Sequence, residues 1–209
     1  MTLKLHHLAP IAAAFVAGLL ALTACQGSSI PSPSPSPTVS SESPAPDASK
    51  PTPASSTGPA RNIPVPKLPE AATANTKAGF EAFAKYWMSL TSYAYETGDT
   101  KPAAKIQGPL CSTCNAVVND VRAINSKGHW SEGGKSTLTL FETDFEPMAD
   151  GAVSAWVTYH QDELIVYGAP AKPIQTIAAN DSVAPIEMIA KFESGAWKVV
   201  ELGKPKGSR

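Results

Sequence analysis

The three cysteines of this 209-residue chain are the positions at which covalent chemistry is most readily predicted. Cys25 stands alone at the end of an uncharged apolar run, whereas Cys111 and Cys114 lie three residues apart much later in the chain. A thiol can be acylated, oxidised to a disulfide, used in thiol exchange or bound to a metal. The surroundings of each cysteine decide which of these reactions the sequence favours.

Residues 1–24 have the composition of an export signal peptide. Lys4 supplies a positive charge, and the uncharged run that follows is shorter than the roughly 20 residues of a membrane-spanning helix. The run ends in Leu22-Thr23-Ala24-Cys25, which resembles the bacterial lipoprotein box. The resemblance implies that the signal is cut after Ala24 and that Cys25 carries the lipid that anchors the mature chain to the cell membrane, on its extracytoplasmic face. A secretory signal that is cut nearby and leaves Cys25 as an ordinary thiol is the alternative.

The Cys111-Ser112-Thr113-Cys114 motif predicts a structural disulfide. Outside the cytoplasm two cysteines at this spacing oxidise, and lipidation of Cys25 leaves them no other partner within the chain. Thiol exchange is a second interpretation, because the N-terminus of a helix lowers the pKa of a thiol. Thioredoxin-like motifs follow a strand, however, whereas this motif follows a helical segment and a Gly108-Pro109 break.

Other constellations of reactive residues are weaker. His129 and His160 do not have the spacing to the cysteines that a zinc site needs, so neither a metal nor another cofactor is predicted. The run Gly133-Gly134-Lys135-Ser136 lacks the upstream glycine of a phosphate-binding loop and leads into a strand. No nucleophile elbow or Ser-His-Asp pattern is present, and the sequence therefore predicts no enzyme.

Charge and composition exclude some classes of partner and divide the chain. The 17 Lys and Arg balance the 18 Asp and Glu, which argues against nucleic-acid binding through bulk positive charge. Twelve of the 20 prolines lie between Ser28 and Pro69, together with many serines and few large apolar residues. Such a segment buries too little surface to fold, so residues 25–69 are predicted to form the lipidated cysteine and a disordered linker.

Residues 70–209 contain all four Trp and all five Tyr and are predicted to form one domain. Thr76 is a suitable N-cap for a helix whose apolar residues recur at helical spacing, and Gly98 is a suitable stop. A short helix over residues 101–107 and a third over residues 111–126 are predicted to follow.

From residue 137 the apolar period changes from helical spacing to two, which predicts strands. The first covers residues 137–146, and its slip in parity between Leu138/Leu140 and Phe141/Phe145 indicates a bulge or a bend. Further strands are predicted over residues 153–159, 186–192 and 196–202, while residues 164–167 either extend the second or form a strand of their own. Ser194-Gly195 predicts a two-residue hairpin turn before the last strand.

Helices followed by a meandering sheet predict an α+β fold, with N-terminal helices packed on a strongly bent antiparallel sheet. This order, together with the hairpin from Lys191 to Val200, resembles the nuclear-transport-factor-2-like fold, a cystatin-like cone. The stretches from Gly79 to Trp87, from Tyr93 to Asp99 and from Cys111 to Cys114 resemble a family of actinobacterial lipoproteins of unknown function.

The resemblance implies a cone between sheet and helices, which in that superfamily often holds a small ligand. Tyr86, Tyr93, Trp156 and His160 are the candidates to line such a pocket, although each also fits the core or the surface. The function predicted is that of a membrane-anchored extracytoplasmic lipoprotein with a non-catalytic binding or interaction domain. The alternatives are a small-ligand pocket protein or isomerase- or dehydratase-like enzyme, and a disulfide-exchange protein.

Overall fold

The computed structural model describes residues 50–169, 171–182 and 184–204, all within a unit that spans Ala45–Arg209. The export signal predicted over residues 1–24, the lipidated Cys25 and the linker as far as residue 49 lie outside the described residues. Within the part of the chain that the structure describes, no helix is both long enough and apolar enough to cross a membrane.

In the described part of the chain, three α-helices follow a short 3-10 turn at Glu70–Thr73: α1 at Lys77–Thr97, α2 at Lys101–Lys105 and α3 at Ser112–Asn125. The prediction of both ends of α1 is confirmed. The Thr76 hydroxyl accepts a hydrogen bond from the Gly79 amide over 3.0 Å, and Gly98 ends the helix in the left-handed region at φ 79°. The second helix is two residues shorter than the predicted residues 101–107.

The strands of the described residues form two antiparallel sheets, which confirms a mixed α+β fold. One sheet has the order β1-β4-β5, and the other has the order β2-β3-β7-β8 with the short β6 paired to β3. Their bounds are Trp130–Gly133 for β1, Ser136–Glu142 for β2, Ala152–Gln161 for β3, Leu164–Gly168 for β4, Lys172–Ile177 for β5, Asn180–Asp181 for β6, Ile186–Glu193 for β7 and Ala196–Gly203 for β8.

Two local predictions about the strands are confirmed. The register of β2 against β3 shifts between Leu138 and Leu140, where the slip in apolar parity indicates a bulge. The β7–β8 hairpin turns at Ser194 and Gly195, both with positive φ, at 51° and 79°. Two consecutive left-handed residues match the right-handed twist of the flanking strands, which explains the tight connection.

The predicted strand over residues 137–146 is wrong beyond Glu142. The Thr143 hydroxyl donates to the Ser154 carbonyl and accepts from the Phe145 amide. These side-chain hydrogen bonds take the place of the backbone hydrogen bonds that would continue the pairing of β2 with β3. Phe145 then takes a positive φ of 60°, which brings its ring to the core.

The core is organised around Trp197, which is 3% exposed. Its ring stacks on Phe80 of α1, with 5.2 Å between the ring centroids. The rings of Phe192 and Phe145 contact it edge-on, with centroid distances of 5.1 Å and 6.3 Å. Its indole nitrogen donates to the Ala74 carbonyl over 3.1 Å, so no buried donor is left unpaired here. This cluster joins the start of α1 to the last hairpin.

Residues 50–69, which composition assigns to the linker, make specific contacts with the rest of the described chain. Thr52 and Arg61 exchange two backbone hydrogen bonds of 2.8 Å and close a small hairpin. Ala54 within it is 8% exposed, and the Ser55 carbonyl accepts a hydrogen bond from the Trp130 indole. Proline-rich composition therefore does not exclude packing for this part of the segment.

Candidate functional site

Cys111 and Cys114 are joined by a disulfide at the first turn of α3, with their Cα atoms 5.3 Å apart. Cys111 is the N-cap of the helix, and its sulfur accepts a hydrogen bond from the Cys114 amide over 3.3 Å. Both residues are fully buried, at 0% exposure. A partner thiol can attack a disulfide only where it reaches a sulfur atom, so this bond is placed for structure rather than exchange.

The disulfide lies where the chain crosses from α2 to α3 along the last strand. The Gly108 amide donates to the Val199 carbonyl over 2.7 Å, and the Val199 amide donates to the Ile106 carbonyl over 2.9 Å. Val199 is itself fully buried in the same apolar cluster as both cysteines. The covalent link therefore fixes the beginning of α3 beside β8.

A cavity of about 110 Å³ lies between α1, α3 and the larger sheet, and we call it the inner cavity. Helix α1 contributes residues at positions 87, 88, 91 and 95, a spacing that places all four along one side of the helix. The lining residues are Trp87, Met88, Thr91, Tyr95, Thr113, Val117, Ser136, Tyr159, Gln161, Ile186 and Leu202.

The inner cavity has a mainly apolar lining with several uncharged polar groups. Among the described residues that line it there is no Asp, Glu, Lys, Arg or His, while hydroxyl, amide and indole groups are present. Burial raises the pKa of the Tyr95 hydroxyl, and the nearby Asp120 carboxylate and Tyr159 raise it further, so that Tyr95 stays a neutral donor. The described lining can therefore form hydrogen bonds to a ligand through neutral groups.

One donor close to the inner cavity is buried without a partner. The indole nitrogen of Trp87 has almost no accessible area and no acceptor among the described residues, so it does not border the space of the cavity. The Thr91 hydroxyl below it already donates toward the Trp87 and Met88 carbonyls of its own helix, at 3.0 Å and 2.9 Å. Buried polar groups without a partner are rare in folded proteins, and the Ser131 hydroxyl is a second example among the described residues.

A second depression of about 310 Å³ lies between α3 and the β4–β5 hairpin, and we call it the outer groove. Its apolar side chains include Ile124, Leu164 and Val166, and its charged side chains are Asp120 and Lys127. Ile174 and Ile177 of β5 line it while remaining 53% and 38% exposed. Tyr95 lines both the outer groove and the inner cavity, so its ring lies between the two.

The structure does not bring together the four residues predicted to line a pocket. Tyr86 packs half-buried against the core and Tyr93 is buried, and neither lines the inner cavity or the outer groove. Trp156 is 42% exposed and pairs in register with Glu142 and Glu187 on the larger sheet.

His160, the fourth predicted residue, is half-exposed and bound to two carboxylates. Its Nδ1 lies 2.7 Å from Asp181 Oδ1, and its Nε2 lies 3.2 Å from Asp162 Oδ1. The hydrogen bond to Asp181 is the main cause that raises the pKa of the imidazole, and the bond to Asp162 adds to it. Both ring nitrogens are therefore occupied at the surface, where His160 holds β6 against β3.

The neighbours of the predicted residues line the inner cavity instead: Trp87 next to Tyr86, and Tyr159 and Gln161 on either side of His160. For the residues of β3, the sequence already contained a pattern that predicts which side chains face the cavity. Side chains alternate along a strand, so Tyr159, on the parity of the apolar Val157, faces opposite to Trp156 and His160. Helical spacing likewise places Tyr95 on the side of α1 that carries Trp87 and Thr91, whereas for Thr113 the sequence contains no comparable signal.

Comparison with known proteins places the chain in a family. The profile described as "Family of unknown function (DUF6318)" matches residues 50–203. The chain belongs to the DUF6318 family. The match begins at the first described residues and includes the N-terminal hairpin, the disulfide and every residue that lines the inner cavity of this DUF6318 protein.

Two solved structures are similar to this DUF6318 chain at low identity. The intermembrane space region of the chloroplast protein ARC6 is 14% identical, with a TM-score of 0.42, and the match covers 61% of this chain and 95% of that one. A putative calcium/calmodulin-dependent protein kinase II association domain from Xanthomonas campestris is 9% identical, with a TM-score of 0.38, over 68% and 94% of the chains. No curated protein matches the chain.

Proposed function

We propose that this DUF6318 protein is a lipoprotein of the extracytoplasmic face of the cell membrane, whose folded part binds a small molecule without catalysis. The Leu22-Thr23-Ala24-Cys25 box supports the anchor, because it stands at the end of the apolar run where lipidation and cleavage take place. The membrane, through the lipid on Cys25, is then its first partner.

The inner cavity is the single observation that carries the binding role. It is formed by side chains from two helices and four strands, and these are hydroxyl, amide, indole and apolar groups. Such a mixture orients a ligand by hydrogen bonds and encloses its apolar surface, as ligand sites of proteins commonly do. A cone of the nuclear-transport-factor-2-like type, with the helices closing a bent sheet, is the architecture we propose around it.

The two alternatives have less support. An isomerase- or dehydratase-like enzyme needs a base and a proton donor at the ligand, and the described lining of the inner cavity contains no carboxylate or imidazole. A disulfide-exchange protein needs an accessible sulfur, whereas Cys111 and Cys114 are both 0% exposed. Binding is the function that these groups support best.

The anchor is tested by mass spectrometry and fractionation of the full chain. We expect the N-terminal peptide of the mature chain to begin at Cys25 with a diacylglycerol mass, and Cys25→Ser to leave the membrane fraction. The double variant Cys111→Ser/Cys114→Ser is the matched control, because it removes thiols without touching the box and should stay with the membrane. An unmodified Cys25 peptide in the membrane fraction would contradict the anchor.

Ligand binding is tested by filling the inner cavity from α3. Val117 lines the cavity, so Val117→Phe should occupy the space and abolish the binding of small neutral probes such as cyclohexanone, measured by ligand-observed NMR. Ala116→Phe adds the same ring at an exposed position of the same helix and should leave binding unchanged. Equal binding to both variants would show that the probes bind elsewhere.

A further inference from the structure

The outer groove contains apolar side chains that the fold leaves open to water. Ile174 and Ile177 of β5 line it, and they are 53% and 38% exposed. Ile124 of α3 lines the groove opposite them and is only half-buried. Exposed apolar surface with polar residues at its rim often marks a binding groove. A ligand that covers these three side chains removes their surface from water, which favours its binding.

Two residues on the α3 side of the groove carry opposite charges. Asp120 lies on α3, and Lys127 follows seven residues later, just after the helix ends. At about 1.5 Å per residue, their backbones are roughly 10 Å apart along the helix axis. Ile124 lies between them and, at helical spacing, on the same side. The groove therefore has an apolar middle, with a negative charge toward one end and a positive charge toward the other.

Neither charge is neutralised within the part of the chain that the structure describes. The ion pairs of those residues include neither the Asp120 carboxylate nor the Lys127 ammonium group. Both side chains are therefore available to a ligand. A ligand with one charged end would leave the other charge without a partner, and a ligand with a positive and a negative end can pair with both.

The β5 side of the groove adds a neutral amide. Gln175 stands between Ile174 and Ile177 in the sequence and lines the same groove. Its side chain has a carbonyl acceptor and an NH₂ donor group, which complement the N–H and C=O of a peptide group. The groove therefore offers a hydrogen-bonding partner for a backbone amide in addition to its two charges.

We infer that the outer groove binds a short aliphatic peptide with free ends, about three residues long, whose ammonium group pairs with Asp120 and whose carboxylate pairs with Lys127. Three extended residues span about 10 Å, the spacing of the two charges along α3. A volume of about 310 Å³ is at the lower end of the range for ligand pockets, in agreement with so short a peptide. This site lies outside the inner cavity, so the inference goes beyond the function proposed above.

Four forms of one tripeptide separate the charge contacts from the apolar contact. Ala-Val-Ala is prepared with free ends, with an N-terminal acetyl group, with a C-terminal amide and with both ends blocked. Binding to the full chain in detergent micelles is measured by ligand-observed NMR, with empty micelles as the blank. We expect each blocked end to lower the affinity about threefold to fivefold, the effect of losing one partly exposed ion pair.

Substitutions of the two charged residues should act on one end of the peptide each. Lys127→Gln should abolish the difference between the free acid and the amide, and it should leave the effect of acetylation intact. Asp120→Asn should do the converse. A purely structural effect would change the affinity for all four peptides alike. Arg122→Gln is the matched control, because it removes a cation from α3 at an exposed position outside the groove and should preserve both differences.

The possible contrary results are distinct. Equal affinities of the four peptides for the parent chain would overturn the two charge contacts and the inference with them. Equally tight binding of an ω-amino acid with an eight-carbon chain, which has both charges but no peptide group, would overturn the peptide class of ligand. Val117→Phe fills the inner cavity and should leave tripeptide binding unchanged. Loss of tripeptide binding in that variant would place the peptide in the inner cavity, which would overturn the inference and leave the proposed binding function intact.

Discussion

The indole nitrogen of Trp130 donates a hydrogen bond to the backbone carbonyl of Ser55 over 2.8 Å. Ser55 lies in the hairpin closed by Thr52 and Arg61, and Trp130 is the first residue of β1. The Trp130 ring also stacks on Tyr167 of β4, with 5.7 Å between the ring centroids. Trp130 therefore attaches the N-terminal hairpin to the smaller sheet.

Replacing this donor should loosen the hairpin without unfolding the domain. Trp130→Phe retains the ring against Tyr167 and removes the N–H, so we expect a loss of about 1 kcal/mol in the free energy of local opening. Hydrogen exchange of the Thr52 and Arg61 amides, read by mass spectrometry, should become faster by roughly fivefold. Trp156→Phe removes an exposed indole and should leave their exchange unchanged.

The contacts of His160 predict a pH-dependent term in stability. The pKa of its imidazole is raised above the ordinary value of 6.5, and the hydrogen bond to Asp181 is the largest cause. A group whose pKa is higher in the folded than in the unfolded state adds stability below the unfolded value, and this stability is lost as the pH rises through the folded value. The term should therefore be present in mildly acidic solution and vanish in alkaline solution.

His160→Gln should remove that term. The difference in the free energy of unfolding between the parent chain and the variant should be larger at about pH 5.5 than at about pH 8.5, measured by urea denaturation. Asp181→Asn should reduce the difference more than Asp162→Asn, because Asp181 lies 2.7 Å from the imidazole and Asp162 lies 3.2 Å away. A constant difference across this range would contradict the assignment.

Removal of the disulfide should destabilise the domain moderately. Cys111 and Cys114 close a loop of only a few residues, for which the loss of chain entropy corresponds to about 2 kcal/mol. The double variant Cys111→Ser/Cys114→Ser should lower Tm by roughly 4–8 °C in calorimetry. Ser112→Ala, at an exposed position between them, is the control, and equal Tm values for both would contradict a stabilising disulfide.

Substitution of Gly98 should be costly for two reasons. Gly98 has φ 79°, which is unfavourable for a residue with a Cβ, and an added Cβ would overlap the side-chain amide of Asn125. That amide is held by its own bond to the Val121 carbonyl at 2.8 Å, so it cannot simply turn away. We expect Gly98→Ala to lower the free energy of unfolding by about 1–3 kcal/mol.

Gly58→Ala is the matched control for Gly98→Ala. An added Cβ at Gly58 meets nothing within 4 Å, so this variant should stay within about 0.5 kcal/mol of the parent chain. Urea denaturation measures both variants. Equal stability of the two variants would mean that α1 can end without a left-handed glycine.

Local sequence patterns predicted the elements that local energetics control. Thr76 and Gly98 bound α1 as expected, and the turn at Ser194 and Gly195 follows from residues that tolerate positive φ. The end of β2 was missed because the Thr143 side chain takes over the backbone hydrogen bonds, and no periodicity reports such a replacement. The packing of residues 50–69 was missed because it depends on Trp130, distant in sequence.

The helix caps, the last hairpin and the cysteine motif could be predicted because each depends on neighbours within a few residues, and the order of helices and strands predicted the class of the fold. The set of side chains that meet in the inner cavity follows from tertiary packing. Trp87, Thr113 and Tyr159 converge there from two helices and a strand, through the packing of whole elements. Whether the Trp87 indole finds an acceptor is likewise a property of surfaces that are far apart in the chain, which no local pattern encodes.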